Sequence, residues 1–294
     1  MDYYPRLARS IDFIDENLSN PITLADVSKE AYSSLSHFHR IFAFMTGFTM
    51  KAYIRKRRLS VAAHELMCTG QNVLDIALKY QYQTHETFTR AFKKEFGMNP
   101  MMFRKQRREH ILFEKIDIFR PEYKNRYVDR NIGLRFVTYN EITVTGFGID
   151  TSLEDNRVDR DIPGFMDTFF ARNMAEEIPA IINPSVFYGI YSNLDDHNNF
   201  RFTISFETGH IKDLPESLEQ HVIPPRNYAV FTAEGPMPEK LVNAWHYIYG
   251  NWLPNSPYER EKGVDFELYD IGKLREKSGS VDIYIPLKIV MCPD

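Results

Sequence analysis

Two short stretches in the first half of the chain set an arginine among polar side chains at helical spacing. Arg40 and Arg90 take equivalent places in these stretches. The spacing i, i+3 or i+4, i+7 puts four residues of each stretch on one helix face: Ser36, His39, Arg40 and Ala43 in the first, and Glu86, Thr89, Arg90 and Lys93 in the second. Arginine hydrogen-bonds the O6 and N7 atoms of guanine in the major groove of DNA. Both faces therefore have the chemistry needed to read bases, although a merely solvated arginine is the alternative for either residue alone.

The second half carries a different candidate, a carboxylate among apolar neighbours. Glu267 lies between Phe266 and Leu268, and Tyr269 follows on the same face of a predicted strand. A carboxylate that faces the interior is costly unless it is paired, so a visiting cation could be its partner. Aromatic ring faces attract cations, and the candidate rings are those of Trp245, Tyr249, Tyr269 and Tyr284. The alternatives are a solvated Glu267 on an open sheet face and a core-packing role for the tryptophans.

An internal repeat positions both arginines. Residues 23–53 can be laid over residues 72–103 with one residue added in the turn. Apolar residues at helical spacing, a short polar break and a second apolar stripe predict two helices joined by a tight turn in each copy. The predicted start and stop signals of the second helix are Ser34 and Gly47 in the first copy, and Thr84 and Gly97 in the second. This arrangement is typical of helices that enter the major groove.

A predicted helix at residues 51–68 separates the two copies. It has an apolar stripe and a basic start, Arg55, Lys56, Arg57 and Arg58. A rigid spacer lets one chain contact two successive major-groove faces, about 34 Å apart, without dimerisation. The charge distribution agrees, because residues 1–110 carry 17 Lys and Arg against 11 Asp and Glu, whereas residues 111–294 carry 19 against 29. The basic half favours DNA and the acidic half favours a cation, with chance surface variation as the alternative.

Beyond a charge-dense linker at residues 109–130, the periodicity changes to that of strands. The order strand, helix, strand, strand is predicted twice: 135–150, 165–178, 186–193 and 200–207, then 221–235, 239–253, 266–271 and 281–288. The predicted architecture is an all-α tandem helix-turn-helix domain at residues 1–108, followed by an α+β domain of duplicated βαββ units at residues 131–294.

Composition narrows the function classes. The 294 residues suffice for two domains, and no apolar run reaches the length of a membrane span. The charged N-terminal stretch is unlike a secretory signal, so we expect a cytoplasmic protein without a membrane partner. The cysteines, Cys68 and Cys292, form no C-x-x-C pattern, and the nine histidines form no H-x-x-x-H pattern. We expect neither a metal nor another cofactor.

The first half resembles the DNA-binding domain of the AraC/XylS family over residues 7–107. The resemblance rests on ITLADVS, HFHRIF, YIRKRRLSVAAHEL, LDIALKYQY, FTRAFKKEFGMNP and FRK. It implies that the residues facing DNA bases are Ser36, His39 and Arg40 on one helix, and His85, Glu86, Thr87 and Arg90 on the other. The chain departs from the family at Tyr32 and Gln81, which occupy the turn where a small residue or glycine is usual. A non-glycine residue at positive φ costs about 1–2 kcal/mol, so slightly altered turns are expected.

The second half resembles the GyrI-like effector-binding domain of multidrug-sensing regulators of the BmrR and Rob type, over residues 131–294. The strings that carry the resemblance are YAVFTAEGP, AWHYIYGNWLPNSPYE, FELYD and DIYIPLK. It implies an aromatic pocket in which Glu267 recognises lipophilic cations.

The sequence thus predicts a bacterial transcription regulator without enzymatic chemistry. Its expected partners are double-stranded promoter or operator DNA and a cationic, aromatic small-molecule effector, with RNA polymerase as a further candidate. One alternative is a GyrI-like hydrolase with Glu267 as general base, although no nucleophile elbow or phosphate-binding glycine loop favours it. The other is a constitutive DNA binder whose second half contacts another protein.

Overall fold

The computed structural model divides the chain into two compact units, residues 2–124 and residues 125–294, called here the helical unit and the sheet unit. The residues described are 3–31, 35–106, 112–124, 132–152, 157–193, 195, 199–274 and 279–288, without the side chains at 35–37, 124 and 159. Among the described helices, none combines the length and the apolar character needed to span a bilayer.

The helical unit contains eight helices in its described part. They are α1 (Tyr3–Glu16), α2 (Leu24–Glu30), α3 (Leu35–Thr46), α4 (Met50–Cys68), α5 (Val73–Lys79), α6 (His85–Phe96), α7 (Pro100–Gln106) and the short α8 (Pro121–Lys124). The pairs α2–α3 and α5–α6 are the two copies of the repeat, and α4 is the spacer between them. The predicted tandem helix-turn-helix architecture is confirmed.

Local chemistry explains where these helices begin and end. Thr23 caps α2 through a reciprocal capping box with Asp26, and Thr84 caps α6 in the same way with Thr87. Gly97 ends α6 at φ 75°, the left-handed conformation that favours glycine. Gly47 follows α3 at φ 81°, so both predicted glycine stops are confirmed. Ser34, the predicted cap of α3, lies outside the described residues.

Aromatic residues form the core of the second copy. The rings of Phe88, Phe92 and Phe103 are fully buried, and the centroids of Phe92 and Phe103 are 5.2 Å apart in an edge-to-face arrangement. They pack with Leu59 and Leu66 of α4 in one apolar cluster. The spacer is therefore part of the core that supports α6.

Part of the predicted linker belongs to this unit. Ile116 and Ile118 are buried, and the amide of Phe113 donates to the Ser60 hydroxyl at 3.0 Å. The ring of Phe113 lies edge-on to that of Tyr53 at 5.7 Å. Phe113 and Ile116 of the predicted linker thus contact α4, and Ile116 does so through its amide, which donates to Tyr53 Oη at 3.4 Å.

In its described part, the sheet unit is built around one nine-stranded antiparallel sheet. Its strands are β1 (Gly133–Tyr139), β2 (Ile142–Ser152), β3 (Val186–Ser192), β4 (Asn199–Thr208), β5 (Glu219–Ile223), β6 (Arg226–Glu234), β7 (Glu259–Arg260), β8 (Phe266–Asp270) and β9 (Ser280–Lys288). The order across the sheet is β1-β6-β9-β8-β3-β4-β2-β5, and β7 pairs with β9. The helices are α9 (Val158–Ala171), α10 (Glu239–Tyr247), α11 (Leu253–Asn255) and α12 (Ile271–Leu274).

The predicted βαββ duplication is present, and each of its two copies has one strand more than predicted. Residues 135–150 were expected to form one strand, but they contribute to two strands, β1 and β2, which do not pair with each other. Residues 221–235 likewise contribute to β5 and β6. The extra strands pair across the duplication, β1 with β6 and β5 with β2. The helix expected at 165–178 begins seven residues earlier, at Val158, and ends at Ala171. The breaks between these strands are short, Tyr139 to Ile142 and Ile223 to Arg226, and the strand-like residue pattern continues across them, so the sequence pattern did not separate the strands.

The sheet buries a different set of side chains on each face. One face, which includes Phe187, Phe202 and Tyr269, packs with α9 residues such as Phe169 in an apolar cluster. The opposite face buries Tyr188, Tyr228, Phe266 and Tyr284 in a second cluster. Alternate residues of a strand point to opposite faces of the sheet. The pairing register of the strands therefore decides which side chains lie on the same face as Glu267.

Candidate DNA-reading faces and effector site

The helix α6 presents its polar face at the surface. His85, Glu86, Thr87 and Arg90 are all exposed, while Phe88 and Phe92 are buried on the opposite side. The Arg90 guanidinium makes no hydrogen bond or ion pair with any residue that the structure describes. These four side chains bring an imidazole, a carboxylate, a hydroxyl and a guanidinium to one surface. Groups of these types can hydrogen-bond base edges in the major groove.

The equivalent face of α3 is less accessible. Phe38, Ile41, Phe42 and Met45 are buried as predicted. His39, which was expected to face outward, is only 1% exposed, so its position differs from the prediction. His39 and Thr46 lie seven residues apart on one strip of the helix and are both buried, which makes the buried sector of α3 wider than its apolar stripe.

Burial also fixes the charge state of His39. Neither ring nitrogen has a hydrogen-bond partner among the described residues. Burial, together with the charge of Arg40, lowers the pKa of His39 to about 4, so the imidazole is neutral at physiological pH. Arg40 itself is half-buried, and the side chain of Ser36 lies outside the described residues. Of the three residues implied for α3, Arg40 is therefore the one with described access to solvent.

The turn before α6 has the strain that the sequence predicts. Gln81 adopts φ 69°, a conformation that costs a non-glycine residue about 1–2 kcal/mol. Two hydrogen bonds hold the turn: Gln81 Nε2 donates to the Ser19 carbonyl at 2.6 Å, and the Tyr82 amide donates to the Ala77 carbonyl at 2.9 Å. Tyr32, the corresponding residue in the first copy, lies outside the described residues.

Three of the four basic residues at the start of α4 bind other groups of the helical unit. Lys56 pairs with Glu95 of α6, and Arg57 pairs with Asp15 of α1 at 2.6 Å. Arg58 Nε donates to the carbonyl of Leu18 at 2.9 Å. These contacts tie α4 to α6 of the second copy and to α1 and the residues that follow it. Arg55 is exposed.

In the sheet unit, Glu267 lies fully buried inside a cluster of hydrogen-bond donors. Its side chain is 0% exposed. Tyr191 Oη and Trp245 Nε1 donate to Oε1 at 2.8 and 2.6 Å, and Tyr269 Oη donates to Oε2 at 2.6 Å. Burial and the neighbouring Glu267 raise the pKa of Tyr269 well above its usual value, so its hydroxyl stays protonated, and the indole of Trp245 carries no charge. These four residues are called the Glu267 cluster.

The strand across from Glu267 leaves room for its carboxylate. Gly189 of β3 is the register partner of Glu267 in β8, and a Cβ atom there would lie 3.0 Å from Oε2 and 3.1 Å from the Phe202 ring. Beside it, the rings of Phe187 and Tyr269 stack at 4.5 Å with an interplanar angle of 3°. The missing side chain at Gly189 thus allows a carboxylate to be enclosed among aromatic rings.

The four predicted ligand-binding aromatic residues separate into three groups. Trp245 and Tyr269 bind Glu267 directly. Tyr249 stacks on Trp245 at 5.9 Å, but its hydroxyl donates to Asp265. Tyr284 does not approach Glu267, because it is the register partner of Phe266 and therefore points to the opposite face of the sheet, where it stacks on Phe266 at 4.5 Å.

Two protein-family models match the chain. Residues 135–287, from β1 to β9, match the integron-associated effector binding protein model, and residues 27–106 match a helix-turn-helix domain model. The first match covers more than half of the chain. The chain belongs to the family of integron-associated effector-binding proteins.

Two of the relatives match this chain over most of both domains. The transcriptional regulator Rob of Salmonella typhimurium strain LT2 is 28% identical over 269 residues, 87% of each chain. The right origin-binding protein of Escherichia coli K12 is 27% identical over 270 residues, again 87% of each chain. An integron cassette protein from the Vibrio cholerae mobile metagenome has a TM-score of 0.41 and 22% identity, over 54% of this chain and all of its own. The predicted AraC-type helix-turn-helix domain and GyrI-like effector-binding domain are confirmed, and the chain is homologous to transcription regulators.

The effector-binding protein also contains a buried ion pair that the sequence analysis missed. Asp265 is 1% exposed, and Arg260 Nε and Nη2 donate to its Oδ1 atom at 2.8 and 2.7 Å. Tyr249 Oη donates to Oδ2. Burial alone would lower the pKa of Arg260, but the charge of Asp265 outweighs it and raises that pKa. Asp265, Arg260 and Tyr249 are called the Asp265 cluster.

The signals for the missed residues differ. Asp265 could have been noticed because it stands two residues before Glu267, the spacing that gives one strand face. Tyr191 and Gly189 reach the site only through the pairing of β3 with β8, which are separated by more than 70 residues. One sequence does not reveal that register.

Proposed function

We propose that this effector-binding protein is a DNA-binding transcription regulator whose effector is a lipophilic aromatic cation bound at Glu267. Its relatives named as regulators support the first part of the proposal. The single observation that carries the second part is a fully buried carboxylate that accepts hydrogen bonds from three uncharged donors. As a regulator, the protein leaves its effector chemically unchanged.

The helical unit supports binding to double-stranded promoter or operator DNA. The described polar face of α6 consists of His85, Glu86, Thr87 and Arg90, and we propose that these side chains contact base edges. The 19-residue spacer α4 is about 28 Å long, close to the rise of one turn of DNA, about 34 Å. Its length therefore suits two reading helices that enter successive major-groove faces. Arg40 is the candidate reader on α3.

Charge is the reason for proposing a cationic effector. Neutral donors stabilise a buried carboxylate less than an opposite charge does, since charge-assisted contacts contribute about 1.5–3 kcal/mol against about 1 kcal/mol for an ordinary hydrogen bond. A lipophilic cation brings that charge without the large desolvation cost of a small hydrated ion. Tyr191, Trp245 and Tyr269 surround the carboxylate and would offer ring faces to the guest.

Access to Glu267 requires a rearrangement. Trp245 of α10 donates to Oε1, and the carboxylate has no exposed surface. A guest that pairs with Oε1 must therefore displace the indole. The exchange replaces a neutral hydrogen bond with a charge-assisted contact, which favours the cation-bound state. Movement of Trp245 would also move α10, giving the domain two states that a ligand can select between.

Calorimetric titration of the full-length protein tests the effector site. Crystal violet, a triarylmethane cation, is compared with its uncharged leuco form. Glu267→Gln keeps the shape of the side chain, so it should weaken binding of the cation by about 1.5–3 kcal/mol and leave binding of the leuco form nearly unchanged. Tyr284→Phe, on the opposite sheet face, is the matched control and should bind both dyes as the wild type does.

Two results would reject the proposal. Equal losses for both dyes in Glu267→Gln would give Glu267 a purely structural role. Chemical conversion of the dye by the wild type, but not by Glu267→Gln, would assign a hydrolase instead of a sensor.

A further inference from the structure

A cavity in the helical unit lies along one face of α4. Its volume is about 610 Å³, within the range of small-molecule sites in proteins, roughly 300–1,000 Å³. Ser60, His64 and Cys68 of α4 line it at intervals of four residues, the spacing of one helix face. Residues 112–114 line it from outside the helix. This cavity is called the Cys68 cavity, and it shares no lining residue with the Glu267 cluster.

The Cys68 cavity contains a thiol in contact with an imidazole. Cys68 Sγ lies 3.6 Å from His64 Nε2, within hydrogen-bonding distance for sulfur, and both side chains are exposed. The i, i+4 spacing on one helix places the two groups side by side. A thiol is a nucleophile in its deprotonated form, and an adjacent base supplies that form. The pair therefore has the two groups that an activated cysteine needs.

Other charged or titratable groups of the lining are engaged with neighbours. These groups are Arg57, Glu65, Tyr80 and the exposed Glu114. Arg57 pairs with Asp15 at 2.6 Å, and Glu65 pairs with Lys79 at 2.9 Å. Tyr80 Oη donates to Glu65 at 2.7 Å. The hydrogen-bond partner described for His64 is Cys68, so the imidazole is placed to serve the thiol.

The walls of the Cys68 cavity favour an uncharged guest with an apolar body. Val61, Leu112 and Phe113 supply apolar surface. The backbone of Phe113 is fixed to α4, because its amide donates to Ser60 Oγ at 3.0 Å and its carbonyl accepts from Arg57. A thiolate beside such walls suits a carbon electrophile whose double bond is polarised by a carbonyl group.

We propose that the Cys68 cavity captures α,β-unsaturated carbonyl compounds as covalent adducts of Cys68, with His64 as general base. His64 Nε2 accepts the thiol proton, and a sulfur lone pair forms a bond to the β-carbon of the guest. The carbon–carbon π bond breaks, and its electron pair passes to the carbonyl oxygen as an enolate. The imidazolium then returns the proton to the α-carbon. The addition needs no oxidant, and it is independent of the effector proposed for Glu267.

The full-length protein with Cys292→Ser, which leaves Cys68 as its single thiol, tests the proposal. Mass spectrometry follows adduct formation with benzylideneacetone, an aromatic enone, and with methyl vinyl ketone, a small one, and each rate is divided by that of glutathione. At about pH 7, Cys68 should react with benzylideneacetone about tenfold faster than glutathione or more, as expected for a positioned base. His64→Gln should lose this advantage. At about pH 9.5, where a free thiol ionises without a base, His64→Gln should match the parent protein within about twofold.

Two further variants separate the cavity from the thiol–imidazole pair. Leu112→Ala removes apolar wall surface, so it should slow benzylideneacetone several-fold and leave methyl vinyl ketone within about twofold of the parent. His210→Gln, at an exposed histidine of the sheet unit, is the matched control and should leave both rates unchanged.

Three results would overturn the inference. The first is a reaction of Cys68 with benzylideneacetone that is no faster than that of glutathione. The second is an equal slowing by His64→Gln at both pH values, because a structural role would then explain it. The third is an equal slowing of both enones in Leu112→Ala, because the cavity would then not select its guest.

Discussion

The two copies of the helix-turn-helix repeat share a sequence pattern and differ in the surface they present. In α6, the polar residues His85, Glu86, Thr87 and Arg90 are exposed. In α3, His39 is buried and Arg40 is half-buried. The apolar stripes are buried in both helices apart from the half-buried Phe96, so among the described side chains the main difference lies in the residues that flank the stripe. The two copies are therefore more alike in their buried apolar residues than in the exposure of the polar residues beside them.

The largest expected effect concerns the buried histidine of α3. The folded state lowers the pKa of His39 from its ordinary 6.5 to about 4, so between these values the unfolded chain binds the proton more readily. Stability that is fully present above pH 6.5 is therefore lost as the pH falls towards 4, by about 3 kcal/mol in all. Urea unfolding at several pH values measures this loss, and His39→Leu should remove that component. If His39→Leu lost stability at acid pH as the wild type does, His39 would not be the cause of that loss.

The next effect compares the two arginines. Arg90→Ala should weaken binding to a specific site by about 1–3 kcal/mol if its guanidinium reads a base, with a smaller loss on unrelated DNA. Arg40→Ala should weaken specific binding by less, because Arg40 is half-buried. Leu78→Ala, at an exposed position on α5, serves as the control. Anisotropy titrations with a footprinted site decide the order. A greater loss in Arg40→Ala would mean that α3 is the principal reader.

The smallest effect concerns the strained turn of the second copy. Gln81→Gly relieves the cost of φ 69°, but it also removes the contact with Ser19 and adds freedom to the unfolded chain. We therefore expect a net stabilisation below about 1 kcal/mol, measured as a shift of the urea midpoint. Gln81→Ala keeps the strain and loses the contact, so it should be destabilised. Stabilisation by alanine would contradict the left-handed conformation.

The sequence was informative wherever one short segment determines its own structure. Periodicity, hydroxyl caps and glycine stops predicted the paired helices, and the last two strands of each βαββ copy were located within a few residues. The role of Glu267 as a buried acid beside Trp245 and Tyr269 was also predictable, because strand alternation and a family motif point to it.

Long-range packing limited the rest of the prediction. Tyr284 was included among the candidate rings, although it lies on the sheet face opposite Glu267, because only the pairing of β8 with β9 fixes its register opposite Phe266. His39 was placed at the surface because the width of the buried sector of α3 depends on what packs beside the helix. Arg260 and Asp265 stand only five residues apart, but the contact of Tyr249 with Asp265 depends on how the segment after α10 packs, which no local pattern encodes.

The central claim is that a cation at Glu267 controls DNA binding, and one measurement tests it most directly. Operator affinity of the full-length protein is measured by anisotropy with and without crystal violet, for the wild type and for Glu267→Gln. Any effect of the dye on the DNA alone is the same for both proteins. We predict that the dye shifts the operator affinity of the wild type and that Glu267→Gln loses most of this shift. An equal shift in both proteins, or none in a wild type that binds the dye, would contradict the account.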